Sequence, residues 1–366
     1  MALLRLELNN ILCFNNFKAD FSYPKKLVNS PLEYEYLRLF PNLRYKKVNI
    51  IVGANASGKT SLGKAILILF LLLKDKESKL FRDSVNNKNK EAYALLDHVY
   101  SNGVFFRFEV KCLPSGDLLA RYRQLQMGKN DSYESLLKKL PADIPFDNYL
   151  KVLENVTFSG WRFNFPTIET GFDCIRCKYD DVDLDEFVAT YQKILKTLDP
   201  SISKVFKSKE QENTFIIKFD DGKTVSVKDG ESISGLSLLS SGTKYAINIA
   251  GIICAIKHHD NGFYYVDEQF SYVNSDIEIA CLATMIELLG DGEQLFFTSH
   301  NYDILDISLP NHSFNFIKKE KNSDGVYEIK IVNASVLEKR NNVSVKNMNE
   351  NDYFGIAPDT SAIFDS

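Results

Sequence analysis

Hydrophobic and polar positions alternate along several stretches of the chain, which is the period of a strand with one buried face. The clearest case is 104–112, where Phe106, Phe108, Val110 and Cys112 alternate with charged side chains. The pattern predicts strands over 4–8, 48–52, 104–112 and 118–126, a hairpin over 214–227 and a late strand over 326–332. Helical spacing predicts helices over 58–73 and 183–198 and short helical stretches within 131–155.

From residue 236 onward the pattern changes to alternating helices and strands. We predict a helix over 241–258, a strand over 262–266, a helix from 275 to about 289, a strand over 294–298 and a short helix from about 301. The helix at 275 is expected to open with a capping box formed by Ser275 and Glu278. This order indicates an α/β fold built from both ends of the chain, with a mixed α+β region between them.

Composition places few limits on function. The net charge of −4 and the pI near 5.9 give no general support for DNA binding. The longest apolar run, 65–73, is too short to span a bilayer, and the first residues lack the apolar core of a signal peptide. We therefore expect a cytoplasmic protein without a membrane anchor. Cys174 and Cys177 form the one close cysteine pair; a zinc site is an alternative to two ordinary thiols, which we favour.

A phosphate-binding loop is predicted directly after the strand 48–52. The run Gly53-Ala54-Asn55-Ala56-Ser57-Gly58-Lys59-Thr60, followed by Ser61, has the spacing G-x-x-x-x-G-K-S/T between a strand and a helix. Its glycines let backbone N–H groups point at a polyphosphate, and the helix presents its positive end to the same anion. Lys59 would reach the β- and γ-phosphates, and the Thr60 hydroxyl would ligate Mg²⁺.

A second candidate lies at the end of the strand 262–266, where Asp267 and Glu268 follow apolar residues. Asp267 is placed to hold the Mg²⁺ water shell, as in a Walker B strand, and Glu268 to deprotonate the attacking water. The alternative is an ordinary strand that ends in two solvated acids. The phosphate loop elsewhere in the chain favours the catalytic interpretation.

Two further groups complete the set. Ser240, Ser241 and Gly242 open the helix 241–258 with hydroxyls and free amide groups, which is a second anion-binding helix start. The simplest use for it is to cap the γ-phosphate held by another subunit, and the alternative is a plain serine-capped helix. His300 follows the strand 294–298, where we expect it at the same sheet edge as Asp267 and within reach of the γ-phosphate.

The order of these motifs resembles that of an ABC-type ATPase head. It is most similar to the SMC/RecF/OLD branch and, within it, to bacterial ATPases linked to phage defence. The segments 198–202 and 352–355 are also similar to that group. The resemblance is strong over 1–73 and 198–305, weaker as far as 357 and nearly absent over 74–180. It implies an ATPase head made from 1–73 and 198–310, an α+β insertion over 74–197, and a C-terminal strand and irregular tail over 311–366.

The resemblance implies that two heads sandwich ATP, so that Ser240 and Gly242 of one subunit complete the site of the other. The cofactors are then ATP and Mg²⁺, and the protein forms a homodimer or a higher homo-oligomer. The sequence departs from the family at Thr243, where a glutamine is usual, and after Glu268, where the usual proline is missing. The glutamine of the Q-loop is represented by two candidates, Gln124 and Gln126.

Three functions follow from this resemblance. An ATP-driven switch that controls a separate effector protein in anti-phage defence is favoured. An ATPase that acts directly on DNA in repair or recombination is the alternative; the sequence lacks a coiled-coil arm and a basic balance. The ATPase subunit of a membrane transporter fits least, because the insertion is too long. About 65 residues follow His300, too few for the metal nuclease of OLD relatives.

Overall fold

The computed structural model describes residues 1–25, 30–142, 144–166, 174–177, 184–211, 214–228, 231–234, 239–271, 273–323, 325–338 and 343–356. The predicted irregular end of the tail, after residue 356, lies outside these residues. The described strands are β1 (Ala2–Asn9), β2 (Phe17–Asp20), β3 (Tyr36–Leu37), β4 (Phe40–Arg44), β5 (Val48–Val52), β6 (Ala92–Val99), β7 (Val104–Cys112), β8 (Leu118–Gln126), β9 (Asp147–Asn148), β10 (Trp161–Asn164), β11 (Cys174–Cys177), β12 (Ile202–Lys207), β13 (Thr214–Phe219), β14 (Thr224–Lys228), β15 (Glu231–Ser234), β16 (Phe263–Asp267), β17 (Gln294–Ser299), β18 (Phe314–Lys321) and β19 (Tyr327–Asn333).

The described helices are α1 (Lys59–Asp75), α2 (Lys79–Asp83), α3 (Tyr133–Lys139), α4 (Tyr149–Leu153), α5 (Leu184–Leu198), α6 (Ser241–Lys257), α7 (Ser275–Leu288), α8 (Ala334–Leu337) and α9 (Val345–Glu350). Two short 3₁₀ helices, Tyr302–Asp306 and Asn311–Ser313, follow β17. The predicted strands and the helices α1, α5, α6 and α7 are confirmed to within a few residues.

The chain divides into two compact units. The first unit combines Met1–Ser159 with Gly290–Ser366, and the second unit is Gly160–Leu289. These boundaries differ from those predicted for the insertion, since β10 falls inside 74–197 but pairs in parallel with β16. The assignment of a head and an insertion therefore stays a prediction.

The first unit contains two larger sheets and the two-stranded sheet β3-β4. An antiparallel sheet has the order β2-β1-β6-β7-β8-β9, and the parallel strands β17, β5 and β18 are followed by the antiparallel β19. The side chain of Gln294 in β17 joins the two sheets, because its amide accepts from the Leu3 N–H at 2.8 Å and donates to the Lys46 carbonyl at 3.0 Å. A buried cluster that includes Leu43, Phe105 and Leu136 fills the space next to the antiparallel sheet.

The second unit contains β10 and β16, which are parallel, with β11 antiparallel to β10. A separate antiparallel sheet, β12-β13-β14-β15, packs against α5 and α6. The core between them includes Tyr191, Leu195, Phe215 and Ala250. The packing of α5 against α6 fixes where the end of one helix lies relative to the start of the other.

The predicted capping box of α7 is wrong. Asn274, one residue before Ser275, caps this helix, and its side-chain oxygen accepts from the Asp276 N–H at 2.8 Å. Asparagine is among the strongest N-cap residues, so Asn274 takes the N-cap role that the box pattern assigned to Ser275. The turn after β16 therefore ends in a fixed helix start.

Candidate functional site

The phosphate loop lies in the first unit between β5 and α1. Its backbone turns through two left-handed residues, Ala56 at φ 61° and Gly58 at φ 108°, before α1 begins at Lys59. The first turn of α1 contains no acidic residue. The helix therefore presents its positive end and its free N–H groups to the loop, as an anion site requires.

The two glycines of the loop pack closely against the C-terminal strands. A Cβ atom on Gly53 would lie 2.3 Å from the Ile317 carbonyl oxygen of β18, and one on Gly58 would lie 2.6 Å from Cδ1 of Ile329 in β19. Both distances are well inside van der Waals contact. The strands β18 and β19 therefore hold the loop in its curled shape from one side.

Two buried side chains face this loop. Lys59 is 4% exposed, and its ammonium donates to the carbonyl oxygens of Gly53 at 2.7 Å and Ala54 at 3.2 Å. The Ser57 hydroxyl is buried without a hydrogen-bond partner among the described residues. An unsatisfied buried hydroxyl is unfavourable, so this group fits a loop that receives a phosphate oxygen.

The remaining loop residues are more accessible. Asn55 and Ala56 are exposed, and Ala54, Thr60 and Ser61 are half-buried. Thr60 and Ser61 lie in the first turn of α1. They are thus at the helix end where the predicted phosphate and Mg²⁺ contacts would form.

His300 lies next to the phosphate loop. It directly follows β17, which pairs in parallel with β5 so that Ser299 is opposite Val52. His300 and Gly53 therefore leave neighbouring strands at the same edge of the sheet, and the imidazole is exposed. Asn301 then caps the 3₁₀ helix Tyr302–Asp306. The predicted neighbourhood of His300 and Asp267, which belong to different units, stays a prediction.

The second unit contains the acidic pair. Asp267 ends β16 and is fully buried, while Glu268 is half-buried and adopts a left-handed backbone at φ 43°. Gln269 is buried, and its amide donates to the Asp267 carbonyl at 3.0 Å. A non-glycine residue in this region costs about 1–3 kcal/mol, and such strain concentrates at functional sites. The turn therefore fixes the direction of the glutamate that the sequence predicts as the base.

The signature segment lies at the start of α6, also in the second unit. Ser240 caps the helix and is exposed together with Ser241, and Gly242 is half-buried. The Ser240 oxygen accepts from the Thr243 N–H at 3.2 Å. This geometry agrees with the signature and equally with a plain serine-capped helix, so the alternative left open by the sequence remains.

The structure adds one residue that the sequence reasoning did not assign to the site. Asp199, just after α5, accepts a hydrogen bond from the Thr243 hydroxyl at 2.7 Å. The two residues are 44 positions apart in the sequence. The sequence pointed to Asp199 only indirectly, because this residue belongs to the segment 198–202, which carries part of the family resemblance. Thr243, where the sequence departs from the family it resembles, is thus hydrogen-bonded to a second segment of that resemblance.

The other candidates are two glutamines of β8 and the two cysteines of β11. Gln124 and Gln126 are exposed residues of β8, and the Gln126 amide donates to the Gly103 carbonyl at 3.3 Å. Cys174 and Cys177 begin and end β11, and their side chains lie outside the described residues. Within the described ranges, no group of three or more histidine, cysteine, aspartate or glutamate side chains could hold a metal ion. None of the helices described is both long and apolar enough for a membrane span.

No protein-family model and no curated protein matches the sequence. Solved structures do. The SMC head bound to the C-winged helix domain of ScpA is 15% identical and matches 93% of this chain and 100% of its own, with a TM-score of 0.56. The SMC head domain with an extended coiled coil from Pyrococcus furiosus, bound to the C-terminal domain of ScpA, is 13% identical, with coverages of 92% and 98% and a TM-score of 0.53. The recombination mediator RecF is also matched, at 10% identity, coverages of 90% and 98% and a TM-score of 0.44.

The two SMC heads agree with this chain over nearly its whole length. At such low identity the similarity concerns the fold. The chain has the mixed α/β fold, with a parallel sheet, of an SMC head domain.

Proposed function

We propose that this protein is an ABC-type ATPase that binds and hydrolyses ATP at the phosphate loop and associates around it with a second copy. The observation that carries the proposal is the loop itself. Its curled backbone packs against β18 and β19 and leads directly into the positive, N-terminal end of α1. The Ser57 hydroxyl is buried in the loop and has no hydrogen-bond partner in the described part of the chain. The SMC-head fold supports the same assignment.

Each residue has a distinct role in the proposed reaction. Lys59 neutralises the terminal phosphates. To reach them, its ammonium would have to leave the carbonyl oxygens of Gly53 and Ala54, to which it donates hydrogen bonds in this structure. Thr60 and Asp267 would hold Mg²⁺, which would neutralise further phosphate charge. Glu268 accepts a proton from the attacking water, and the exposed His300 contacts the γ-phosphate.

The signature is proposed to act between subunits. Ser240 and Ser241 are exposed at the start of a helix and can donate to a phosphate that another molecule carries. One ATP does not need two helix starts from one subunit. A homodimer or a higher homo-oligomer would therefore place Ser240 and Gly242 against the ATP of the partner.

We further propose that the ATP-dependent assembly controls a separate effector protein, in anti-phage defence, through the predicted insertion 74–197 and the tail after 341. The matched SMC heads were each solved with part of another protein, which supports a head of this fold as a docking partner. An ATPase that acts directly on DNA in repair or recombination is equally compatible with the fold, and the experiments below separate the two.

The first experiment measures ATP hydrolysis and the mass in solution with and without ATP. Lys59→Ala should lose ATP binding or turnover, and thermal unfolding is followed in parallel because Lys59 also holds two loop carbonyls. Glu268→Gln should bind ATP, hydrolyse it slowly and accumulate as an assembly, since the amide keeps the shape but takes no proton. A wild-type protein that neither binds nor hydrolyses ATP would refute the proposal.

The second experiment tests action between subunits. Ser240→Arg and Lys59→Ala are each inactive in the proposal, and mixing them creates one intact composite site. Partial recovery of ATP turnover is expected. Mixed dimers without recovery would show that the signature acts on its own subunit or that both sites must be intact.

The third experiment identifies the output. The tagged protein is purified with its neighbouring genes intact, and duplex DNA binding is measured at physiological salt. The effector proposal predicts a co-purifying chain that is lost when the surface of 74–197 is mutated. Tight ATP-dependent DNA binding without a second chain would favour the repair ATPase.

A further inference from the structure

A chain of hydrogen bonds leads from the signature serine to an aspartate outside the signature helix. The hydroxyls of Ser240 and Thr243 are 2.9 Å apart, and the Thr243 hydroxyl donates to Oδ2 of Asp199 at 2.7 Å. The other carboxylate oxygen, Oδ1, accepts from the Ser201 N–H at 3.0 Å and from its hydroxyl at 2.6 Å. All four residues belong to the second unit.

The position of Asp199 is set by the fold. Its N–H donates to the Leu195 carbonyl at 2.8 Å, so it continues the last turn of α5, and its carbonyl accepts from the Ile202 N–H at 3.2 Å at the start of β12. The helices α5 and α6 share a buried core that includes Leu195 and Ile247. The carboxylate is therefore held against the first turn of α6 by packing that does not involve the signature.

The directions of the hydrogen bonds follow from counting protons. Although burial opposes ionisation, the hydrogen bonds from Ser201 and Thr243 lower the pKa of the Asp199 carboxyl below its ordinary value, so at neutral pH it only accepts. Thr243 has one hydroxyl proton, which goes to Asp199. In the contact between the two hydroxyls Ser240 must then be the donor and Thr243 the acceptor. The Ser240 oxygen also accepts from the Thr243 N–H.

We propose that Asp199 is a positioning residue for the signature, acting through Thr243 to hold the Ser240 oxygen in the orientation that meets the γ-phosphate of a partner subunit. The inference rests on the proposed function, in which Ser240 contacts that phosphate. When the phosphate arrives, the Ser240 O–H turns from Thr243 to the phosphate. Two contacts persist: the hydrogen bond from the Thr243 hydroxyl to Asp199, which fixes Thr243 in the first turn of α6, and the hydrogen bond from the Thr243 N–H to the Ser240 oxygen. Asp199 therefore still holds the Ser240 oxygen in the bound state. Threonine at position 243 is then a working part of this signature, with Asp199 as its anchor.

The test uses the full-length protein and measures ATP turnover as a function of protein concentration, whose midpoint reports ATP-dependent association. Thr243→Val keeps the side-chain shape and removes the hydroxyl, and Asp199→Ala removes the anchor. Each should raise the midpoint about tenfold, the factor that corresponds to one hydrogen bond. Because both break the same chain, the double variant should also show about tenfold and not a hundredfold.

One matched variant keeps the link. Ser201→Ala removes a hydrogen bond to Oδ1 of Asp199 but leaves Oδ2 for Thr243. It should stay within about twofold of the wild-type midpoint. Nucleotide affinity at low protein concentration, where the subunits are apart, should be unchanged in every variant.

The outcomes separate this inference from the proposed function. If the wild type shows no ATP-dependent association, the proposed function fails and Asp199 loses its role with it. If the wild type associates and Thr243→Val and Asp199→Ala lower only the thermal unfolding temperature, Asp199 merely stabilises the helix start and the inference is wrong. If the double variant raises the midpoint by the product of the two single effects, about a hundredfold, the two residues act independently and the inference is also wrong. If Asp199→Ala fails to fold, Thr243→Val carries the comparison alone, and a midpoint within about twofold of the wild type would contradict the positioning role.

Discussion

Gly53→Ala is expected to damage both the stability of the first unit and its nucleotide site. The added Cβ would lie 2.3 Å from the Ile317 carbonyl oxygen, 2.8 Å from the Ser57 hydroxyl and 2.9 Å from Cγ2 of Ile317. The carbonyl cannot rotate away, because β18 pairs with β5 and β19 on its two sides. The strand and the phosphate loop must therefore separate to admit one methyl group.

The magnitude follows from the overlap. Forcing an extra methyl into a packed site costs about 1–3 kcal/mol, and a clash with backbone belongs at the upper end of that range. For a unit of this size, 3 kcal/mol corresponds to a fall of about 6–12 °C in the unfolding temperature. Displacement of the loop should at the same time move the N–H groups that receive phosphate, so ATP binding should fall below detection at concentrations that saturate the wild type.

Gly116→Ala is the matched control for this prediction. Gly116 has φ 87°, so alanine is strained there, but its Cβ would meet nothing within 4 Å. Its cost is that of the left-handed backbone, about 1–2 kcal/mol, and ATP binding should not change. Circular dichroism melts and binding of a fluorescent ATP analogue measure both effects. A Gly53→Ala protein that melts and binds ATP like the wild type would refute the packing argument.

Two further predictions concern strain and buried charge. Glu268→Gly should be more stable than Glu268→Ala by about 1 kcal/mol in chemical denaturation, because both variants lose the carboxylate and only glycine relieves the backbone strain at φ 43°. Both variants should lose ATP turnover. Equal free energies of unfolding would contradict the backbone strain. Burial, with a smaller contribution from the N-terminal ammonium, lowers the pKa of His98 to about 3, and neither ring nitrogen has a hydrogen-bond partner in the described ranges. The unfolded imidazole, with a pKa near 6.5, takes up a proton at pH 5 and the folded one does not, so His98 should lower the free energy of unfolding by about 2 kcal/mol between pH 7 and pH 5. His98→Leu should lack this component, and unfolding curves with the same pH dependence as the wild type would contradict the assignment.

The parts of the fold that the sequence predicted correctly have local signals. The phosphate loop lies between an apolar strand and a helix, and β7 and β8 are joined by a turn that contains Pro114 and Gly116. The strands β6, β10 and β18 were missed. Each of β10 and β18 pairs in parallel with a strand far away in the sequence, β16 and β5, and no local signal indicates these two pairings; their antiparallel partners β11 and β19 lie nearby. Strand pairing over such distances is decided by the packing of the whole unit.

In the candidate site, too, the features with local sequence signals were predicted and those that depend on long-range packing were not. Lys59, Ser240 and Asp267 belong to short motifs whose spacing is set by local backbone geometry, and the structure places them at the strand and helix ends that the motifs predict. The contact between Asp199 and Thr243 depends on how α5 packs against α6, which no local spacing encodes. The positions of Ile317 and Ile329 against the loop glycines likewise required the C-terminal strands to be placed.

The position of β5 between β17 and β18 has a consequence for how the protein is made. β5 is fully buried in the finished unit, yet its neighbours are encoded far downstream, and β18 ends at Lys321. A ribosome that adds about 5–20 residues per second needs roughly 13–50 s for the intervening 260 or so residues. For most of that interval the strand that leads into the phosphate loop lacks both of its neighbours, and its unpaired backbone edges are open to misplaced pairing. Nascent chains should therefore depend on chaperones until the C-terminal strands emerge, and fragments that stop before residue 314 should aggregate and bind no nucleotide.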